Sequence, residues 1–209
     1  MKKLVRYIRD STCLSLLLLV ANLASAQTVK LWTETDRKFL VDNLERTKLA
    51  VISETRNLTP AQWHFKKDSA SWSIAQVVEH LGVYERIFVQ EADIMLSSKP
   101  EPVLDSLSLP DSSYIAWMND PSPHKAEWNA EPLGFMKGND NLTYFLFGRN
   151  NFIEFIRNTT YDLKSHFTYR WGKERRRSIH ALMVVHFAHT DRHLKQIARI
   201  KATSSYPKS

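Results

Sequence analysis

Apolar positions recur with helical period over four long stretches of this 209-residue chain. The first spans residues 34–57 and places Leu40, Leu44, Val51 and Ile52 on one side. Thr33 is its expected N-cap, with Asp36 as the capping-box partner. Thr59 and Pro60 restart the chain as a short turn to Trp63. The second stretch, residues 73–95, opens on a Ser73/Gln76 capping box and carries Ile74, Val77, Val78, Leu81, Tyr84, Ile87 and Phe88 as its stripe. The third, residues 141–159, aligns Leu142, Phe145, Leu146, Phe152, Ile153 and Ile156, with Arg149 inside the stripe. The fourth, residues 178–202, aligns Leu182, Val185, Ile197 and Ile200 with three histidines. Residues 97–138, between the second and third stretches, hold six of the eight prolines and read as irregular, because no long helix runs through such spacing. No alternating pattern is long enough for a sheet. The pattern predicts an all-α fold: a four-helix bundle whose long crossover lets helices two and three run parallel.

Composition changes one end of this picture. A basic segment through Arg9, a short apolar run dominated by Leu16 to Val20, and Ala24-Ser25-Ala26 read as a secretory signal peptide over residues 1–26. A single domain, residues 27–209, is expected to follow, exported to the periplasm or medium and without a stable membrane anchor after cleavage. Four of the 29 Lys and Arg and one of the 22 Asp and Glu lie in that leader, so cleavage lowers the net charge from +7 to +4. The only cysteine, Cys13, leaves with it. A metal site in the mature chain must therefore use His, Asp or Glu.

His189 and His193 stand four apart, so they share one helical face about a turn apart, a spacing that suits two ligands of one metal. The pair alone fits hydrogen-bonded, partly buried histidines equally well. His186, His189 and His193 fall within roughly 60° of arc on the core-facing stripe. Buried imidazoles need partners, and a metal would satisfy several lone pairs at once. His80 is the only imidazole of the second stripe.

The stretch Trp72-Ser73-Ile74-Ala75-Gln76-Val77-Val78-Glu79-His80-Leu81 resembles the first signature of the DinB-like superfamily. His189-Thr190-Asp191-Arg192-His193-Leu194-Lys195-Gln196-Ile197 resembles its second. Residues 149–159 and 162–167 are similar to its third-helix region and the turn after it. The resemblance covers roughly residues 33–202. It implies a four-helix bundle with a long crossover and a divalent metal, zinc or nickel, on three histidines that match His80, His189 and His193. It also implies a small-molecule enzyme of the hydrolase or thiol-transferase kind, although many members have no assigned substrate. This chain departs from the pattern in its leader, in the additional His186, and in the basic turn at residues 171–177.

Three neutral imidazoles leave a cation its full charge, which favours hydrolysis or activation of a bound nucleophile. Glu79, Tyr84, Glu85 and Asp191 are the candidate acid–base groups, with Glu79 and Asp191 expected to face solvent or to orient an imidazole. Arg149 is either an anchor for an anionic substrate or half of an ion pair with a carboxylate such as Glu91. His186 is a candidate extra ligand. His166 is expected at the surface or in a cap, and Trp117 and Trp128 as a roof over the site. The basic run ending at Arg177 lacks the aromatic interleaving of a nucleic-acid surface and reads as a solvated turn. A non-catalytic metal-binding or ligand-binding bundle is the alternative to an enzyme, and association into a homodimer is left open.

Overall fold

The computed structural model describes residues 30–122, 124–168 and 176–208. The expected leader and residues 171–175 of the basic turn lie outside these. The described residues are all-α, with six helices: α1 (Glu34–Thr55), α2 (Pro60–His64), α3 (Ile74–Leu96), α4 (Asp111–Met118), α5 (Asn139–Asn158) and α6 (Ile179–Lys201). The helix starts follow from local chemistry. Thr33 Oγ1 accepts from the Asp36 N–H, and the Asp36 carboxylate accepts from the Thr33 N–H. Ser73/Gln76 and Thr59/Gln62 form equivalent reciprocal caps, satisfying N–H groups that a helix start leaves unpaired.

The four long helices pair in a ring: α1 with α5, α5 with α3, α3 with α6, and α6 with α1. Contacts fix their directions. Gly82 lies against Tyr144 and Phe145, and Gly148 against Glu85, so the second and third long helices, α3 and α5, run parallel. Phe39 meets Phe187, Arg46 meets Asp191 and Glu54 meets Lys201, so α1 and α6 are also parallel. His80 beside His193 and Phe88 beside His186 make α3 and α6 antiparallel. The two glycines let the α3 and α5 backbones approach where a methyl group would collide with the facing helix.

The crossover has more regular structure than expected. It contains 3-10 turns at Pro102–Leu107 and Trp128–Ala130, and the eight-residue α4 between them. Proline spacing excludes a long helix, but Pro110 is a compatible boundary for a short one. The helix α4 packs on α6. This second cover explains why every residue from Ile179 to Thr190 is buried: a helix enclosed on all sides is apolar all round. Among the described residues no helix is long and apolar enough to cross a membrane.

The core divides into two apolar clusters. One contains Leu44, Phe88, Phe152 and Val185; the other contains Val51, Leu81, Phe145 and Ile197. On each long helix a polar residue falls between them: Thr47 on α1, Glu85 on α3, Arg149 on α5 and His189 on α6. All four are buried. The site lies beside this polar belt and shares His189 with it.

Candidate metal centre

His80 comes from the second turn of α3, and His189 and His193 from successive turns of α6. All three are buried. The Nε2 of His189 lies 3.3 Å from that of His80 and 3.0 Å from that of His193. The three candidate ligand atoms lie within 4.8 Å of one another. The sequence-predicted triad therefore meets.

The outer nitrogens set the tautomers. Nδ1 of His80 is 2.7 Å from the Ala130 carbonyl oxygen. A carbonyl only accepts, so Nδ1 carries the hydrogen and Nε2 presents a lone pair. Nδ1 of His193 donates likewise to Gln196 Oε1 at 2.8 Å. Burial holds His80 down to about 4. Burial, then the neighbouring His80, takes His193 down to about 3. Burial, followed by repulsion from His193 and His80, puts His189 well below its ordinary value. Three neutral rings thus turn Nε2 atoms on one point. A single hydrogen on His189 can bridge only one of the two short contacts, which leaves the other lone pair facing a lone pair. Tetrahedral ligation with metal–nitrogen bonds of about 2.0–2.1 Å sets neighbouring nitrogens about 3.3 Å apart. The observed contacts match that spacing, so the three histidines could hold one metal ion.

Glu79 supports this arrangement from the next position on α3. It is buried, and its carboxylate accepts from the backbone N–H groups of Leu133 and Gly134. Gly134 has φ of +73°, the left-handed region that favours glycine. These bonds tie down the crossover segment whose Ala130 carbonyl orients His80. The backbone partners of Glu79 lie in the crossover, so sequence spacing from α3 alone could not indicate them.

The triad lines a cavity of about 1050 Å³. Tyr84 flanks it, with its ring centroid 4.7 Å from that of His80 and 4.4 Å from that of His189. Trp72 stands on the other side, 4.9 Å from His80. Trp117 lines the cavity as expected of a roof, whereas Trp128 does not and is 87% exposed. Arg192 donates to the Met118, Asp120 and Ser122 carbonyls, fastening the crossover to α6 beside the site.

The remaining candidates lie elsewhere. Asp191 forms a two-pronged pair with Arg46 at 2.8 Å. Arg149 is fully buried and outside the cavity lining. It donates through Nε and Nη2 to Glu85 Oε1 at 3.0 and 2.7 Å, through Nη1 to Thr47 Oγ1 and the Leu44 carbonyl, and through Nη2 to Thr190 Oγ1. Its carboxylate partner is Glu85, not Glu91. His186 Nε2 lies 3.0 Å from Glu85 Oε1 and belongs to this network rather than to the triad. Burial alone would raise the Glu85 pKa, but the Arg149 charge beside it holds the carboxyl below its ordinary value. Burial keeps His186 below its own.

Two further histidines are buried away from the triad. His166 is buried rather than at the surface, with Nδ1 3.2 Å from the Met95 carbonyl. His180 accepts from Trp32 Nε1 and contacts the Asp111 carboxylate, joining the start of the domain to α4.

No curated protein and no solved structure gives a significant match. The family model described as the DinB superfamily matches residues 43–197, which include all three histidines and at least part of each of the four long helices. The chain belongs to the DinB superfamily.

Proposed function

We propose that this protein is a divalent-metal-dependent enzyme acting on a small molecule, as a hydrolase or a thiol-type transferase, with zinc or nickel on His80, His189 and His193. One observation carries the reading: the Nε2 atoms of three buried, neutral imidazoles gather within 4.8 Å of one another and open onto a cavity large enough for an organic substrate. A cation held there supplies Lewis-acid chemistry at a substrate oxygen. The chain's own residues do the rest. Ala130 and Gln196 hold two of the rings in the ligating tautomer. Glu79 fixes the loop that carries Ala130. Burial keeps protons off the ligating atoms. Of the acid–base candidates Glu79, Tyr84, Glu85 and Asp191, only Tyr84 lines the cavity, so it is the group placed to hold a proton or a substrate oxygen beside the triad. The leader read from the sequence puts this enzyme outside the cytoplasm, where its thiol partner, if it uses one, is not a cytosolic cofactor.

The test is elemental analysis of mature protein purified without an affinity tag, alongside His80→Ala, His189→Ala and His193→Ala. About one zinc or nickel per chain is expected in the parent and a large loss in each variant. A parent protein that is metal-free and takes up neither ion on titration overturns the reading.

A further inference from the structure

The cavity is a groove along α6, and the triad sits in its middle rather than at its end. Lining residues on α6 recur from Leu182 and Val185, through His189 and His193, to Arg199 and Ile200, with Thr203 just past the helix end. At 1.5 Å per residue, Val185 and Arg199 are separated by about 21 Å along the helix, with His189 and His193 between them. Because α3 is antiparallel to α6, its lining residues run the other way, from His80 beside His193 to Phe88 beside His186.

The two arms differ in chemistry. One is walled by Tyr84, Ile87, Phe88, Leu182, Val185 and Met118, of which Phe88, Leu182 and Val185 are buried. At its far end charges of both signs stand together: Glu91, and Arg177 stacked 4.7 Å from the Trp117 ring. The other arm is lined by Lys67, Ser71, Gln196, Arg199 and Thr203, and the crossover adds Lys125 and Glu127 to the groove wall. Asp68, next to Lys67, is engaged with Ser71 and Ala70. Around the whole groove, five Lys and Arg face two Glu.

An apolar chamber on one side and an excess of cations on the other select opposite ends of one ligand. We propose that the groove binds an amphiphilic organic anion, with its apolar chain or ring between α3 and α6, its negative head toward Arg199 and Lys67, and its reactive bond over the histidines. This deepens the proposed function and rests on it for the reactive bond, but the binding polarity is a property of the groove alone.

The test uses the mature protein, stripped of metal with a chelator so that a carboxylate head has no cation to ligate. Calorimetric titration compares dodecanoate, dodecyltrimethylammonium and acetate. Dodecanoate is expected to bind at least tenfold more tightly than either of the others, since one has the wrong charge and the other no chain. Lys67→Glu with Arg199→Glu, both exposed positions, should weaken dodecanoate at least tenfold and narrow the preference over the ammonium. Circular dichroism of the variant checks that it folds. The proposal is overturned if the ammonium binds as tightly as the carboxylate, if dodecanoate does not bind, or if the folded double variant binds it unchanged. Metal uptake, measured separately, decides the metal reading, so either can fail alone.

Discussion

Arg149→Met is the most demanding perturbation of this fold, because a single guanidinium meets all four long helices. It reaches Leu44 and Thr47 on α1, Glu85 on α3 and Thr190 on α6 from its own place on α5. Methionine keeps much of the volume and removes the charge. Glu85, 1% exposed in its side chain, then remains as a buried carboxylate without its cation. Breaking a buried pair by removing one partner costs about 3–5 kcal/mol, a large share of a typical domain's stability. Urea denaturation at pH 7 measures it, with an unchanged slope confirming that the unfolding transition is the same. The pH dependence tests the cause. In the parent the folded Glu85 pKa is lowered, so its contribution is present above the unfolded value and is lost as pH falls. In the variant only burial and His186 remain, and a proton taken up by Glu85 or His186 relieves the unpaired charge. The deficit against the parent should therefore shrink as pH falls toward about 4.3, the unfolded carboxylate value. Arg149→Met combined with Glu85→Leu should recover most of the loss. A deficit below about 1 kcal/mol, or one constant from pH 7 to 4.5, refutes the account.

Glu79→Ala should lower zinc or nickel affinity by about 10–100-fold while leaving the three ligands intact, as loss of an orienting shell does; competition with a chromophoric chelator reads it, and unchanged affinity removes Glu79 from the site's support. Gly148→Ala should destabilise by about 1–3 kcal/mol through overpacking, because its methyl would sit 2.5 Å from Glu85 Cβ; a thermal melt no lower than the parent's contradicts the close α3–α5 approach. Metal-free protein should lose stability as pH falls below about 6.5, since the folded pKa of His80, about 4, is below its unfolded one. The His80 contribution is about 3 kcal/mol, complete above pH 6.5 and gone near pH 4. Denaturation midpoints flat across that window would show that His80 is not buried neutral.

The sequence carried the long helices because their signals are local. Capping chemistry at Thr33 and Ser73 and the apolar stripes need no knowledge of neighbours, and the helix boundaries at those starts match to within a residue. The triad was legible for a related reason: the four-residue spacing of His189 and His193 fixes their common face, and the family signature around His80 supplies the third ring. Arg149 shows where such reading stops. Its place in an apolar stripe was visible, but whether a substrate or a carboxylate faces it depends on helix register, which brings Glu85 within 2.7 Å and leaves Glu91 along the groove. The unbroken run Ala181-Leu182-Met183-Val184-Val185 did hold a signal for α4, since residues apolar on every side of a helix require a cover on every side. His180 and His166 were opaque because their partners, Asp111 and the Met95 carbonyl, are contributed by distant segments.

The histidine triad and the buried network of Arg149, Glu85 and His186 are related through helix register. Along α6, His186, His189 and His193 occupy successive turns of one face, so two neighbouring pairs exist that a ring from α3 could complete. Sliding α6 by one turn, about 5.4 Å, would offer His186 and His189 to His80 in place of His189 and His193. The charged network decides between them. His186 is held by Glu85, and Thr190 in the following turn by Arg149. A one-turn slip would withdraw both and, although the guanidinium and carboxylate keep each other, would cost each a buried hydrogen-bond partner, about 1–3 kcal/mol apiece. Specifying register is an attested use of such buried polar groups. With Glu85→Leu and Arg149→Met in place, that penalty is gone and His186 is released. In that background His193→Ala should retain measurable zinc or nickel through His80, His186 and His189, whereas His193→Ala alone should not. Equal metal loss in both backgrounds would show that the bundle's apolar packing alone fixes the register.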